Sequence, residues 1–309
     1  MILEKADVAV LRLAQASGRF PSETHLAQAE LTAEQFETRL HRLRAANVVA
    51  AFHVTLAVPP LLGGDWVFGA VLAYAQDPLR AANLLTKKLP FVTETIFNSG
   101  LPDGLGPNLS LLFYSRDFDS SVRFIQGAPG LEYQEVYRLG DYSFPMALPL
   151  SNDERLLIRL LVNNPDSDIT AVGAALGQSP TWVRTKLDRL LGNELNRSGV
   201  LRIQPDVNWS EVSNFGHFHF LIETGHRPEQ LARLLQSDAA DRPESFQLVL
   251  GGKLFRNRYV QVEADVWGIG DLMDRVMLLN QLAGIRVAGV LWNRAVRVNT
   301  SWVRGLVSG

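Results

Sequence analysis

The chain has 309 residues, with 30 Lys and Arg against 32 Asp and Glu, for a formal charge of −2. That balance excludes a polybasic nucleic-acid coat, and the absence of Cys excludes disulfide scaffolds, thiolate metal sites and cysteine nucleophiles. Hydrophobic residues at 47% and charged residues at 20% suit a globular chain of two or more domains.

In chain order, Leu3, Val10, Leu11 and Ala14 recur at helical spacing and predict a helix over 3–15. A short helix is expected near 22–29. Thr32 then reads as the N-cap of a third helix over 33–46, with Phe36, Leu40 and Leu43 on one face. The stretch 45–64 carries no Asp, Glu, Lys or Arg and reaches the length of a membrane span. Its Asn47, His53, Thr55, Pro59–Pro60 and Gly63–Gly64 argue instead for a short hairpin and a linker. Neither a membrane span nor a signal peptide is expected, which suits a cytoplasmic protein. Strands are predicted near 65–75, 91–98, 108–115 and 131–139, with helices near 78–89 and 118–127.

The second half reads the same way. A shift of 147 lays 3–43 over 150–190, pairing Asp7 with Glu154, Leu11 with Ile158, Thr32 with Ser179 and Leu43 with Leu190. Helices are expected over 150–162, 169–176 and 180–192. Strands follow near 215–224, 244–250, 257–266 and 286–298, with helices near 227–237 and 271–282. A period near 150 signals a duplicated module rather than a solenoid. The fold class is α+β: two copies of a winged helix-turn-helix followed by a ferredoxin-like βαββαβ domain, forming an intramolecular pseudo-dimer. Boundaries fall at 1–60, 61–149, 150–210 and 211–309. Charge divides unevenly, −3 over residues 1–149 and +1 over 150–309.

This ordered set resembles the Lrp/AsnC family of regulators. The residues that carry the likeness are Asp7, Val10-Leu11, Leu26-Ala27, Thr32 and Arg42-Leu43. In the second copy they are Glu154, Leu157-Ile158, Gly173-Ala174, Ser179 and Arg189-Leu190. Pro129-Gly130-Leu131 and Ala283-Gly284-Ile285 resemble the family's turn before the last strand. The resemblance implies a sequence-specific, double-stranded-DNA-binding transcription regulator with a small-molecule effector, and homo-oligomers through the ferredoxin-like domains.

A helix-turn-helix puts its third helix in the major groove. Thr181, Trp182, Arg184, Thr185, Lys186 and Arg189 are therefore the expected DNA contacts of the second copy, with Arg197 and Arg202 flanking. Gln35, Thr38, Arg39 and Arg42 are those of the first, where Glu34 and Glu37 face phosphates badly. The family's effector loop maps to Gly100 and Asn108, and to Gly251 and Asn257, with Asn standing near the place of an expected Asp. No hydrolase elbow, Walker loop or dinucleotide fingerprint occurs. His217 and His219 alternate on one strand and could chelate a metal, but no third ligand is evident in sequence. The expectation is a non-enzymatic protein without cofactor or metal. The alternatives are a sirohaem-decarboxylase-like enzyme or haem-binding protein on the same fold, with His217 and His219 as candidates, and a sensor or scaffold that has lost DNA binding.

Overall fold

The computed structural model describes all residues except 59–61, 63–64, 90, 103, 140–149, 192–199, 238–245 and 308–309. Three helices open the chain: α1 (Lys5–Ser17), α2 (Glu23–Gln28) and α3 (Ala33–Ala45). Three more open the second half: α6 (Asn152–Asn163), α7 (Ile169–Leu176) and α8 (Pro180–Leu191). Thr32 caps α3 as expected. Its hydroxyl accepts from the Gln35 amide and its own amide donates to the Gln35 side chain, a reciprocal capping box. Ser179 accepts from the Trp182 amide at the start of α8.

Each third helix is tied back to a buried acid on the first helix of its own half. Asp7 accepts from Arg39 and Arg42, and Glu154 accepts from Lys186 and Arg189. The two acids are 0% and 1% exposed. A carboxylate removed from water needs such partners, so each pair of cations fixes how its third helix lies on the first. The two hubs sit 147 residues apart in sequence. Both sets of helices share one apolar core, with Leu11, Phe36, Leu40 and Leu43 packed in the same cluster as Ile158, Val183, Leu187 and Leu190.

After α3, β1 (Val49–Leu56) pairs antiparallel with β6 (Leu201–Asn208), from Val49↔Val207 to Leu56↔Leu201. This corrects the expected local hairpin. The partner of VAAFHVTL is the equivalent strand of the other half, because both strands carry apolar side chains that the shared helical core covers. The expected linker at 59–64 and Arg197 fall mainly or wholly outside the described residues.

The first half continues with β2 (Val67–Ala75), α4 (Pro78–Lys88), β3 (Val92–Leu101), β4 (Leu109–Ser115), α5 (Phe118–Gln126) and β5 (Leu131–Arg138). The second has β7 (Gly216–Thr224), α9 (Pro228–Ser237), β8 (Gln247–Leu248), β9 (Leu254–Phe255), β10 (Tyr259–Val266), α10 (Gly268–Gln281) and β11 (Ile285–Val298). The single strand expected at 244–250 is thus corrected to two short pieces around a 3-10 turn. Leu250 and Gly252 there adopt positive φ, which no regular strand accommodates.

The strands form one curled antiparallel sheet, β5-β2-β4-β3-β11-β7-β10-β8, so β3 and β11 join the two halves edge to edge. Helices α4 and α5 cover one face through Leu85, Phe113 and Ile125. Helices α9 and α10 cover the other half through Leu231, Phe220 and Leu279. The uncovered faces meet in a smaller cluster of Leu72, Leu221, Phe255, Tyr259 and Leu291. A short helix, α11 (Val303–Val307), closes the chain and was not legible beforehand. No helix among the described residues is long and apolar enough to cross a membrane.

Candidate functional site

The expected recognition helices present less free charge than their sequences suggest. Arg39 and Arg42 are held by Glu4 and Asp7, and Lys186 and Arg189 by Glu154. Gln35 is occupied by the capping box. Trp182, expected on the exposed face, is half-buried against the helical core, with the Lys186 ammonium 5.7 Å from its ring. Thr38, Thr181, Arg184 and Thr185 remain exposed. Among the described residues the Arg184 guanidinium makes a long 3.5 Å contact with the Phe20 carbonyl. Sequence reasoning missed this bookkeeping because it treated every cation on the third helix as outward-facing.

The first-half loop to which the resemblance assigns an effector borders a cavity. Gly100 and Asn108 border this cavity of about 530 Å³, which Leu291 of β11 also lines. Asn108 is itself structural there, exchanging two hydrogen bonds with the backbone of Ala75 at 2.9 and 2.7 Å. Gly100 allows close approach: a Cβ would stand 2.3 Å from a Leu291 methyl. The second-half pair is not brought to this cavity. Asn257 borders a separate open pocket with Arg256 and Tyr133, and Gly251 sits in the 3-10 turn.

Two residues absent from the sequence reading define the cavity's charge. Arg294 and Arg297 both border it. Three positions apart, they would face opposite sides of a regular strand. The ladder between β11 and β3 slips between Asn293 and Ala295, so Arg294 is the extra residue of a β-bulge and both guanidiniums turn to one cavity. Among the described residues neither makes a hydrogen bond or ion pair. They rest against aromatic rings, Arg294 5.8 Å from Trp292 and Arg297 5.2 Å from Phe97. The buried Asn98 lines the same cavity, and its Oδ1 has no hydrogen-bond partner. Two cations and an orphan amide oxygen around an open space are complementary to a ligand bearing carboxylates and a donor group.

His217 and His219 lie elsewhere. On β7 they face Asp265 and Glu263 of β10 across the ladder, His219↔Glu263 and His217↔Asp265. Glu263 thereby becomes a third candidate donor beside the two imidazoles, which the sequence did not reveal. His217 Nδ1 is 3.0 Å from Asp265 Oδ1 and its Nε2 is 3.5 Å from Glu263 Oε2. Burial disfavours the His217 imidazolium, but the hydrogen bonds to Asp265 and Glu263 outweigh it and hold the pKa up at about 9. Burial and then the neighbouring His217 push His219 down to about 4, leaving it a neutral imidazole. Arg12 of α1 donates to Asp265 at 2.7 Å from across a second cavity of about 440 Å³.

No family profile matches the chain, and no curated protein matches it. Among solved structures, siroheme decarboxylase NirDL covers 98% of this chain and 98% of its own, at 15% identity and TM-score 0.47. Its complex with an iron-uroporphyrin III analogue gives 14% identity and TM-score 0.49 over 98% of this chain and 99% of its own. Regulators match just under half of this chain. Escherichia coli AsnC covers 48% of it and 99% of its own length, at 14% identity and TM-score 0.28. The class that the chain's own elements define is a mixed α+β protein with helical units at the start of each half and a curled antiparallel sheet. The expectation of a non-enzymatic protein is corrected here, because the solved structures matched end to end are those of an enzyme.

Proposed function

We propose that the chain binds a polycarboxylate as substrate in the Arg294–Arg297 cavity. The observation that carries this reading is the β11 bulge, which turns into one cavity two guanidiniums that have no carboxylate partner among the described residues, beside the Asn98 oxygen, likewise unpaired among them. An iron tetrapyrrole with carboxylate side chains, as in the NirDL complex, is the probe to use. Arg294 and Arg297 fit its peripheral carboxylates, and Phe97 and Leu291 fit its apolar face. No His borders this cavity, so no imidazole is assigned to the iron. His217, which lines the other cavity, stands beside Glu263 and Asp265, whose charges oppose a polycarboxylate. The tandem module boundaries and the pseudo-dimer belong to the same proposal; the repeated acid hubs and the β1–β6 pairing support them.

The test is a titration of the full chain with iron uroporphyrin III, read by absorbance and followed by mass spectrometry of the ligand. Saturable binding, weakened tenfold or more in R294A/R297A, and loss of carboxyl groups from the ligand are expected. Binding that ignores both arginines refutes the site. Binding without chemical change makes the ligand an effector instead. That outcome favours the second reading, a regulator that contacts duplex DNA through Thr181, Arg184 and Thr185, which stand exposed at the start of α8.

A further inference from the structure

The strands β7 and β10 place His217, His219 and Glu263 on one sheet face, where His217 and Glu263 line the second cavity, away from Arg294 and Arg297 of β11. One ligand atom from each lies within 4.8 Å of the others. The individual spacings are more telling. His217 Nε2 and His219 Nε2 are 3.3 Å apart, His217 Nε2 is 3.5 Å from Glu263 Oε2, and His219 Nε2 is 3.6 Å from the same oxygen. With metal–ligand bonds of roughly 2.1 Å, ligand atoms on the edge of a tetrahedron stand ~3.4 Å apart. The three donors already have that triangle. The far nitrogen of His217 meets Asp265 at 3.0 Å, the carboxylate–histidine arrangement that orients a metal-ligating imidazole.

A second observation points to an occupant. Asn293 lines the same cavity, is 5% exposed, and its Oδ1 has no partner among the described residues. A buried amide oxygen left bare is costly, and a metal-bound water would supply its donor. We propose that His217, His219 and Glu263 form a mononuclear site for a divalent transition metal of the zinc or iron(II) class, with Asp265 as positioning residue and the cavity open to a bound water. Two imidazoles and one carboxylate suit these ions better than Ca2+ or Mg2+, which favour all-oxygen sets. A compact three-donor face also suits a bare ion better than a macrocyclic iron, which offers a single axial position on each side. This site stands apart from the polycarboxylate reading, and either can fail alone.

The experiment uses the full chain, stripped with chelator and dialysed against Zn2+, with Co2+ as the spectroscopic probe. One metal per chain and a visible Co2+ band of tetrahedral type are expected. H219A and E263Q should abolish the stoichiometric metal, and D265N should weaken affinity 10–100-fold with the band retained. H226A, whose ring bonds the Ala283 carbonyl outside the cluster, should bind as the parent does. Far-UV circular dichroism checks each fold, and D265N serves if the ligand variants do not fold. Absence of stoichiometric metal in the parent chain, or binding that survives E263Q and is unmoved by D265N, overturns the site and leaves the cluster an ion-pair network.

Discussion

Replacing Glu154 with Gln tests what fixes α8 against α6. Glu154 is 1% exposed and accepts from Arg189 at 2.7 Å, Lys186 at 3.2 Å and the Ser151 amide at 2.9 Å. Burial raises its pKa, yet these partners outweigh burial and hold it down at about 2 from an ordinary 4.5. That depression corresponds to ~3 kcal/mol of stability at neutral pH. Because the folded value is the lower one, the contribution is complete above about pH 4.5 and is lost as pH falls through about 2. The figure agrees with the lower end of losses on breaking a buried pair, as it should, since Arg189 is 42% exposed and can find water. Urea unfolding followed by circular dichroism at pH 7, 4 and 2 measures it. E154Q should be less stable by ~3 kcal/mol at pH 7, and the gap should close by pH 2. Equal urea midpoints at pH 7, or a gap that persists unchanged at pH 2, would refute the argument that the Glu154 charge anchors the helix.

The equivalent hub gives a parallel expectation. D7N should destabilise in the same direction, with an effect that fades in acid, because Arg39, Arg42 and the Glu4 backbone hold the Asp7 carboxyl below its usual range despite its burial; thermal melts across pH read this. G100V should clash with Leu291 and cost ~1–3 kcal/mol, and it should also abolish polycarboxylate binding by filling the cavity mouth. On the DNA reading, R184A should weaken gel-shift binding and reduce the salt slope by ~0.9. Unchanged affinity across salt would remove Arg184 from any DNA interface.

Much of the α-helical order was legible because it rests on local chemistry. Thr32 caps its helix with Gln35, and Val10, Leu11, Phe36 and Leu40 keep helical spacing and are buried together. The sheet strands of the first half were legible for the same reason, through alternating and apolar runs bounded by Asp77-Pro78 and Pro129-Gly130. The sites were less legible, because they depend on register. Glu263 meets His219 only because β10 pairs with β7, and Arg294 joins Arg297 only because one residue bulges. Neither fact is encoded at short range. Likewise Arg39, Arg42, Lys186 and Arg189 look like a DNA-reading face until the buried Asp7 and Glu154 are seen to hold them.

The pairing of β1 with β6 and of β3 with β11 has a kinetic consequence. His53 reaches Asp206 across 153 positions of sequence, and Trp302 reaches the Val92 carbonyl across 210. Contacts this distant along the chain must wait for most of the polypeptide, and topologies dominated by them fold slowly. A nascent first half emerges with β1 lacking its ladder partner and β3 presenting an open edge that only β11 will cover. Until the last strand arrives, that edge can pair with any other extended chain, so the time between synthesis of the two halves is the interval of greatest aggregation hazard.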